Sequence, residues 1–185
     1  MKDPLPPPLR RGLRRIRVRL GDHPAFLPVI LALTPQRLSR TLTGSTQLVV
    51  EGFPRCGNTF AVAAIELAQP GPVVISSHVH VPAQVKLAVR RKLPTLVVIR
   101  EPLDAVASLL VAAPHVRPES ALLEFAHHYD ELLEWRHGVV VATFEEVTSD
   151  MGRVIECINA RFGTTFVPFR FFARPEATEL VLRSA

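Results

Sequence analysis

Three short segments of this 185-residue chain carry side chains that could act together on an anion. In Leu48-Val49-Val50-Glu51-Gly52-Phe53-Pro54-Arg55-Cys56-Gly57-Asn58-Thr59-Phe60 an apolar run meets Gly and Pro, and a helix-type stretch follows. That is the pattern of a strand, a tight loop and a helix start. Backbone N–H groups at a helix N-terminus converge on an anion, and Gly57 lets the backbone approach it closely. Arg55 adds a cation inside the loop. In Leu96-Val97-Val98-Ile99-Arg100-Glu101-Pro102-Leu103-Asp104-Ala105-Val106-Ala107-Ser108 an apolar strand ends in Arg. Its guanidinium can fork onto a phosphate, and the Ser108 hydroxyl can donate beside it. In Ser76-Ser77-His78-Val79-His80-Val81-Pro82 two histidines follow a short strand. Histidine changes protonation near neutral pH and so serves as a general base. Two residues apart, His78 and His80 share a face if the strand continues.

The elements that must position these groups follow a regular order. Residues 47–50, 73–76, 95–99 and 139–143 are β-type runs, and that at 95–99 lacks polar alternation, as suits a strand buried on both faces. Between and after them, 58–68, 82–92, 102–111, 119–135 and 150–162 read as helices. Pro70 closes the first of these, Pro102 opens the third, and Gly163 ends the last. Asp104 is read as an acidic residue in a helix's first turn. Strands alternating with helices imply an α/β fold with a central parallel sheet flanked by helices on both faces. Ligands of such sheets bind at the carboxyl ends of the strands. Residues 1–22 read as a basic, Pro/Arg-rich arm ahead of a single α/β domain over 23–185. Leu9, Leu13, Ile16 and Leu20 have helical spacing, whereas Ile16, Val18 and Leu20 also alternate with Arg17 and Arg19 as a strand would.

Phe53-Pro54-Arg55-Cys56-Gly57-Asn58-Thr59-Phe60 resembles the phosphosulfate-binding loop of the sulfotransferases that use PAPS (3′-phosphoadenosine 5′-phosphosulfate). That loop reads approximately Pro-Lys/Arg-Ser-Gly-Thr-Thr followed by an aromatic or aliphatic residue. Cys56 stands for the usual Ser and Asn58 for the first Thr. The segment from Leu96 to Ser108 looks like the family's 3′-phosphate motif, and Val139 to Val147 is similar to its late strand and Tyr-Glu-Asp-Leu segment. The resemblance covers roughly residues 46–166. It implies a three-layer, P-loop-like fold and sulfuryl transfer from PAPS, leaving PAP, to a hydroxyl or amine. It also implies a nucleotide site formed by Arg55, Cys56, Gly57, Asn58, Thr59, Phe60, Arg100, Ser108 and Phe144, the last facing adenine. Arg55 would stabilise the leaving phosphate, and the segment at His78 resembles the family's Thr-His-Leu-Pro base motif. Distance to Arg100 favours His78 and the His-Val-Pro tripeptide favours His80; His78 is preferred. The family's C-terminal basic Gly-rich segment has no clear counterpart, and Arg170 and Arg174 are its nearest substitutes. The acceptor, whether small molecule, glycan or lipid, is not specified by any motif.

Composition excludes several alternatives. The formal charge of +5 comes largely from Arg10, Arg11, Arg14, Arg15, Arg17 and Arg19, so no basic surface spreads over the domain as nucleic-acid binding requires. That cluster is compatible with weak membrane-surface contact or with a solvated arm. No stretch approaches the roughly 18 apolar residues of a membrane span, and with no secretory pattern at the start the expectation is a cytoplasmic protein. Cys56 and Cys157 lack metal-ligand spacing. Gly52 to Gly57 has the spacing of the nucleotide P-loop, but Asn58 stands where a kinase or NTPase needs Lys. A Cys56 phosphatase fails because Val62, not Arg, lies six residues on. A non-catalytic nucleotide-binding module remains the second alternative to the sulfotransferase.

Overall fold

The computed structural model describes residues 7–33 and 35–170. Four strands, β1 (Leu48–Gly52), β2 (Ile75–Ser77), β3 (Thr95–Ile99) and β4 (Val140–Thr143), form one sheet of order β2-β1-β3-β4 in which every pair is parallel. Among the described residues eight α-helices accompany them: α1 (Pro7–Leu20), α2 (Leu27–Leu33), α3 (Asn58–Ala68), α4 (Pro82–Arg90), α5 (Pro102–Ala112), α6 (Pro118–Asp130), α7 (Phe144–Ser149) and α8 (Met151–Phe162). The expected α/β architecture, a parallel sheet between helical layers, is the one observed.

Strand periodicity sorts the two faces. Leu48 and Val50 of β1 and Leu96 and Val98 of β3 join the main core with Phe60 and Ile65 of α3, Val106 of α5, Phe125 of α6 and Ile155 of α8. Val97, on the other face, packs with Val85 of α4, Leu132 and Val139. Phe60, Ile65 and Ile155 are almost fully buried, each stabilising the fold by about 1.5–3 kcal/mol. Glu51 falls between Val50 and Gly52 and so belongs to the α4 face. A smaller cluster of Leu27, Ile30 and Leu31 with Val79, Val81 and Ala83 docks α2 beside that face.

The chain passes from β1 out to β2 and then returns to β3 on the other side of β1, so the topological switch lies between β1 and β3. The loops leaving these two strands carry Arg55 and Arg100. Local signals end the helices as expected at several points: Gly163 caps α8 at φ 67°, and Asp104 sits in the first turn of α5 behind a Glu101 cap. Others were not foreseen. Thr143 and Glu146 form a capping box that starts α7 directly after the strand expected over 139–143. The helix expected over 119–135 stops at Asp130, because Leu132 bonds back to Tyr129 and the chain tightens into a 3-10 turn over Leu133–Gly138. The basic segment forms helix α1, resolving its ambiguous period, and Arg14 pairs with Glu124 of α6 at 2.6 Å. Among the described residues no helix is long and apolar enough to cross a membrane.

Candidate functional site

The loop from Phe53 to Gly57 is held from beneath by groups the ligand would never touch. The Tyr129 hydroxyl accepts from the Phe53 N–H at 3.1 Å and donates to the Val98 carbonyl at 2.8 Å, tying the loop of β1 to the end of β3. The Asn58 amide donates to the Phe53 carbonyl at 3.3 Å, and the Cys56 N–H donates to the same oxygen at 3.3 Å. Burial pushes the Tyr129 phenol well above its ordinary pKa and raises the Cys56 thiol, whose Sγ lies 3.3 Å from the Tyr129 oxygen. Cys56 is therefore a thiol in the core of the loop, which removes it as a nucleophile on physical grounds as well as on spacing. Gly57 has φ 96°, and a Cβ there would lie 2.9 Å from Cδ2 of Phe144. Gly52 is equally constrained, since a Cβ would collide with the Val98 carbonyl oxygen. With no side-chain cap at Gly57, the first N–H groups of α3 are left facing the loop.

Two guanidinium groups and a hydroxyl meet above that helix start. Arg55, exposed and at φ 71°, donates from Nε to Ser108 Oγ of α5 at 3.0 Å. Arg100 donates from Nη1 to the Arg55 carbonyl at 3.3 Å, and its guanidinium carbon stands 4.1 Å from the centre of the Phe144 ring. Its Nε is buried without a hydrogen-bond partner. Positive charge is thus concentrated at the switch point beside the N-terminus of α3, an arrangement that suits an anion with more than one phosphate-type group.

The histidines arrive by a route different from the expected one. Strand β2 ends at Ser77, so the two do not share a strand face; His78 and His80 instead take left-handed backbone conformations, φ 61° and 55°. Such values are uncommon for residues with a side chain, and together with Arg55 they place three of the four non-glycine positive-φ residues among the described residues at this site. The turn brings the rings to 5.6 Å, edge to face. His78 is flanked by hydroxyls, Ser77 Oγ at 2.6 Å from Nδ1 and Thr59 Oγ1 of α3 at 3.0 Å from Nε2. His80 donates from Nδ1 to the Gly52 carbonyl at 2.8 Å. Under the turn lies Glu51, fully buried, whose carboxylate accepts from the N–H groups of Val79 and His80 at 2.8 and 3.0 Å and from the Gln84 amide at 2.9 Å.

Of the residues singled out from sequence, Arg55, Gly57, Thr59, His78, His80, Arg100, Ser108 and Phe144 are gathered around the loop. Five are placed differently from expectation. Cys56, Asn58 and Phe60 are buried at 0%, 3% and 0% exposure, so their side chains brace the loop and core. Ser108, expected to donate beside Arg100 to one phosphate, accepts from Arg55 Nε. Phe144 stacks on Arg100, which occupies the ring face proposed for adenine. Arg170 is exposed just beyond Phe169, whose carbonyl abuts Gly152 of α8, and Arg174 lies outside the described residues. His127 bonds to Asp22 at 3.0 Å and His128 is buried against Phe53 and Tyr129, so neither is simply solvated. Asp22, His127 and Glu131 lie close enough to hold a metal, but the Lys86 ammonium already pairs with Glu131. Glu51, Gln84, Ser77 and Tyr129 were missed; the one available signal was an acidic residue inside the apolar run Leu48–Gly52.

No protein-family model matches the chain, and no curated protein matches it. Among solved structures it is similar to mouse sulfotransferase SULT7A1 complexed with PAP, at 12% identity and a TM-score of 0.47 over 81% of this chain and 68% of that one.

Proposed function

We propose that the chain is a sulfotransferase that binds PAPS at the switch point between β1 and β3 and passes the sulfuryl group to a hydroxyl or amine. The observation that carries this reading is the meeting of Arg55, Arg100 and Ser108 over the uncapped start of α3, with His78 joined to the same helix through Thr59. PAPS supplies an activated sulfuryl group on a phosphate leaving group. The chain's residues fit that ligand: the buried Arg100 Nε lacks a partner that a phosphate oxygen would provide, and an unmet buried donor costs about 1–3 kcal/mol.

In the transfer, the acceptor oxygen or nitrogen bonds to sulfur as the bond from sulfur to the phosphate oxygen breaks. Arg55 and the α3 N–H groups neutralise charge on the departing phosphate, a fixed arrangement of donors that needs no reorganisation during reaction. Arg100 holds the 3′-phosphate side, and Ser108 steadies Arg55. A histidine of the His78–His80 turn takes the acceptor's proton. Incubation with labelled PAPS and pooled acceptors, read by mass, should show an added sulfuryl group. PAP binding with no transfer to any pool would instead favour a non-catalytic binding module.

The same reading extends to the place of action. Helix α1 turns Arg14 toward Glu124 and leaves Leu9 and Ile16, seven residues apart and so on one face, exposed among six arginines of the segment. That supports weak contact with an anionic membrane surface. Sedimentation with phosphatidylserine vesicles, absent with phosphatidylcholine alone, is the expected result.

A further inference from the structure

The residues between β2 and α4 make a turn of unusual backbone conformation. His78 and His80 both sit in the left-handed region, which residues with a side chain seldom occupy unless their surroundings fix them. What fixes them comes from a different strand. Glu51 Oε1 receives the Val79 N–H and the Gln84 amide, and Oε2 receives the His80 N–H. Each of these partners is a donor, the set that an ionised carboxylate requires. Two successive backbone N–H groups directed at one anion form a small concave nest, here closed around a side chain in place of a ligand.

The consequence reaches the His80 ring. Its Nδ1 faces the Gly52 carbonyl, which can only accept, so Nδ1 carries the proton and the lone pair of the neutral ring is on Nε2. Glu51 Oε2 lies 3.8 Å from the same Nδ1, placing negative charge where an imidazolium would form. The contacts of the His78 ring are of another kind, since each of its nitrogens meets a hydroxyl, which donates or accepts equally well.

We infer that Glu51 is a positioning residue that shapes the two-histidine turn and holds His80 in its Nδ1–H tautomer, making His80 the proton acceptor of the pair. The proton-acceptor half rests on the sulfuryl-transfer reading; the coupling of Glu51 to the His80 tautomer does not. It also reverses the order expected from sequence, in which His78 was preferred. Gln at position 51 keeps one acceptor oxygen but turns an NH2 toward a backbone N–H. The turn then relaxes, and His80 parts from the Gly52 carbonyl.

The test uses the full chain with 15N-labelled histidine, assigned by His78→Asn and His80→Asn variants. In the wild type the His80 nitrogens should report Nδ1–H, and in Glu51→Gln they should move toward the Nε2–H form that free histidine favours. Glu51→Asp, which keeps the charge, should restore part of the wild-type signature. Turnover of Glu51→Gln should fall roughly ten- to a hundredfold, as for removal of a group that orients a histidine, with PAP affinity within about twofold of wild type. An Nε2–H tautomer in the wild type, or an unchanged tautomer in Glu51→Gln, overturns the assignment. If Glu51→Gln does not fold, the wild-type tautomer decides alone. Failure of the sulfotransferase reading shows separately, as absent transfer with the His80 tautomer as inferred.

Discussion

Removing the Arg100 guanidinium tests the proposed nucleotide site at the group that would distinguish PAP from AMP. Arg100 stacks 4.1 Å above Phe144, touches the Arg55 carbonyl and keeps a buried Nε without a partner, so it is held in place before any ligand arrives. A charge-assisted bond from such a group contributes about 1.5–3 kcal/mol, or roughly ten- to a hundredfold in affinity. Calorimetric titration should therefore find PAP binding at least tenfold more tightly than AMP, and Arg100→Ala should erase most of that margin while changing AMP affinity little. Arg100→Lys keeps charge but loses the planar fork and the stacking, and should recover only a minor part. Phe144→Ala should weaken PAP binding less, by about 0.5–1 kcal/mol, through the lost cation–π contact. Because the two residues touch, the double variant should cost less than the sum of the single ones. Equal affinity of the wild type for PAP and AMP, or full discrimination retained by Arg100→Ala, would refute the assignment.

Gly57→Ala forces a side chain into φ 96° and to 2.9 Å from Phe144; it should lower stability by about 1–3 kcal/mol and weaken PAP binding, both visible in thermal melts with and without ligand. Tyr129→Phe strips the Phe53 N–H and the Val98 carbonyl of their partner, and chemical denaturation should report a loss of about 1–3 kcal/mol. Cys56 and Tyr129 are both raised by burial in the folded state. The folded chain thus keeps protons that the unfolded chain releases, so their contribution to stability is complete below the unfolded thiol's pKa and declines as pH rises through it. Melting temperature should fall above about pH 8.5, and Cys56→Ala should flatten the first part of that decline; a Cys56→Ala profile parallel to wild type would contradict the buried thiol.

The sheet was legible because its strands are short apolar runs punctuated by Gly and Pro, and because a parallel sheet covered on both faces needs just such runs. Arg55, Gly57 and Arg100 were legible for the same reason, since each stands at a strand's carboxyl end. What escaped depends on contacts far apart in sequence. Glu51 meets Val79 and Gln84, 28 and 33 residues away, and nothing local to either segment specifies that bond. Tyr129 reaches Phe53 across 76 residues. The left-handed turn at His78 and His80 could not be inferred from residue types that ordinarily favour extended backbone. Helix α6 read four residues too long because its pattern continues beyond the point where Leu132 turns back into the core.

Glu51 also matters to the chain before it folds. Leu48-Val49-Val50 and Leu96-Val97-Val98-Ile99 are β-prone segments of the kind that pair between molecules when exposed. The first is broken by a carboxylate that repels its counterpart in a second unfolded chain, a gatekeeper at the flank of an unavoidable apolar strand. Only when the residues from Val79 to Gln84 have docked does that charge find its donors. The residue that orders the native turn thereby also disfavours intermolecular strand pairing during synthesis and refolding, and the neutral glutamine variant should yield more aggregate on dilution from denaturant.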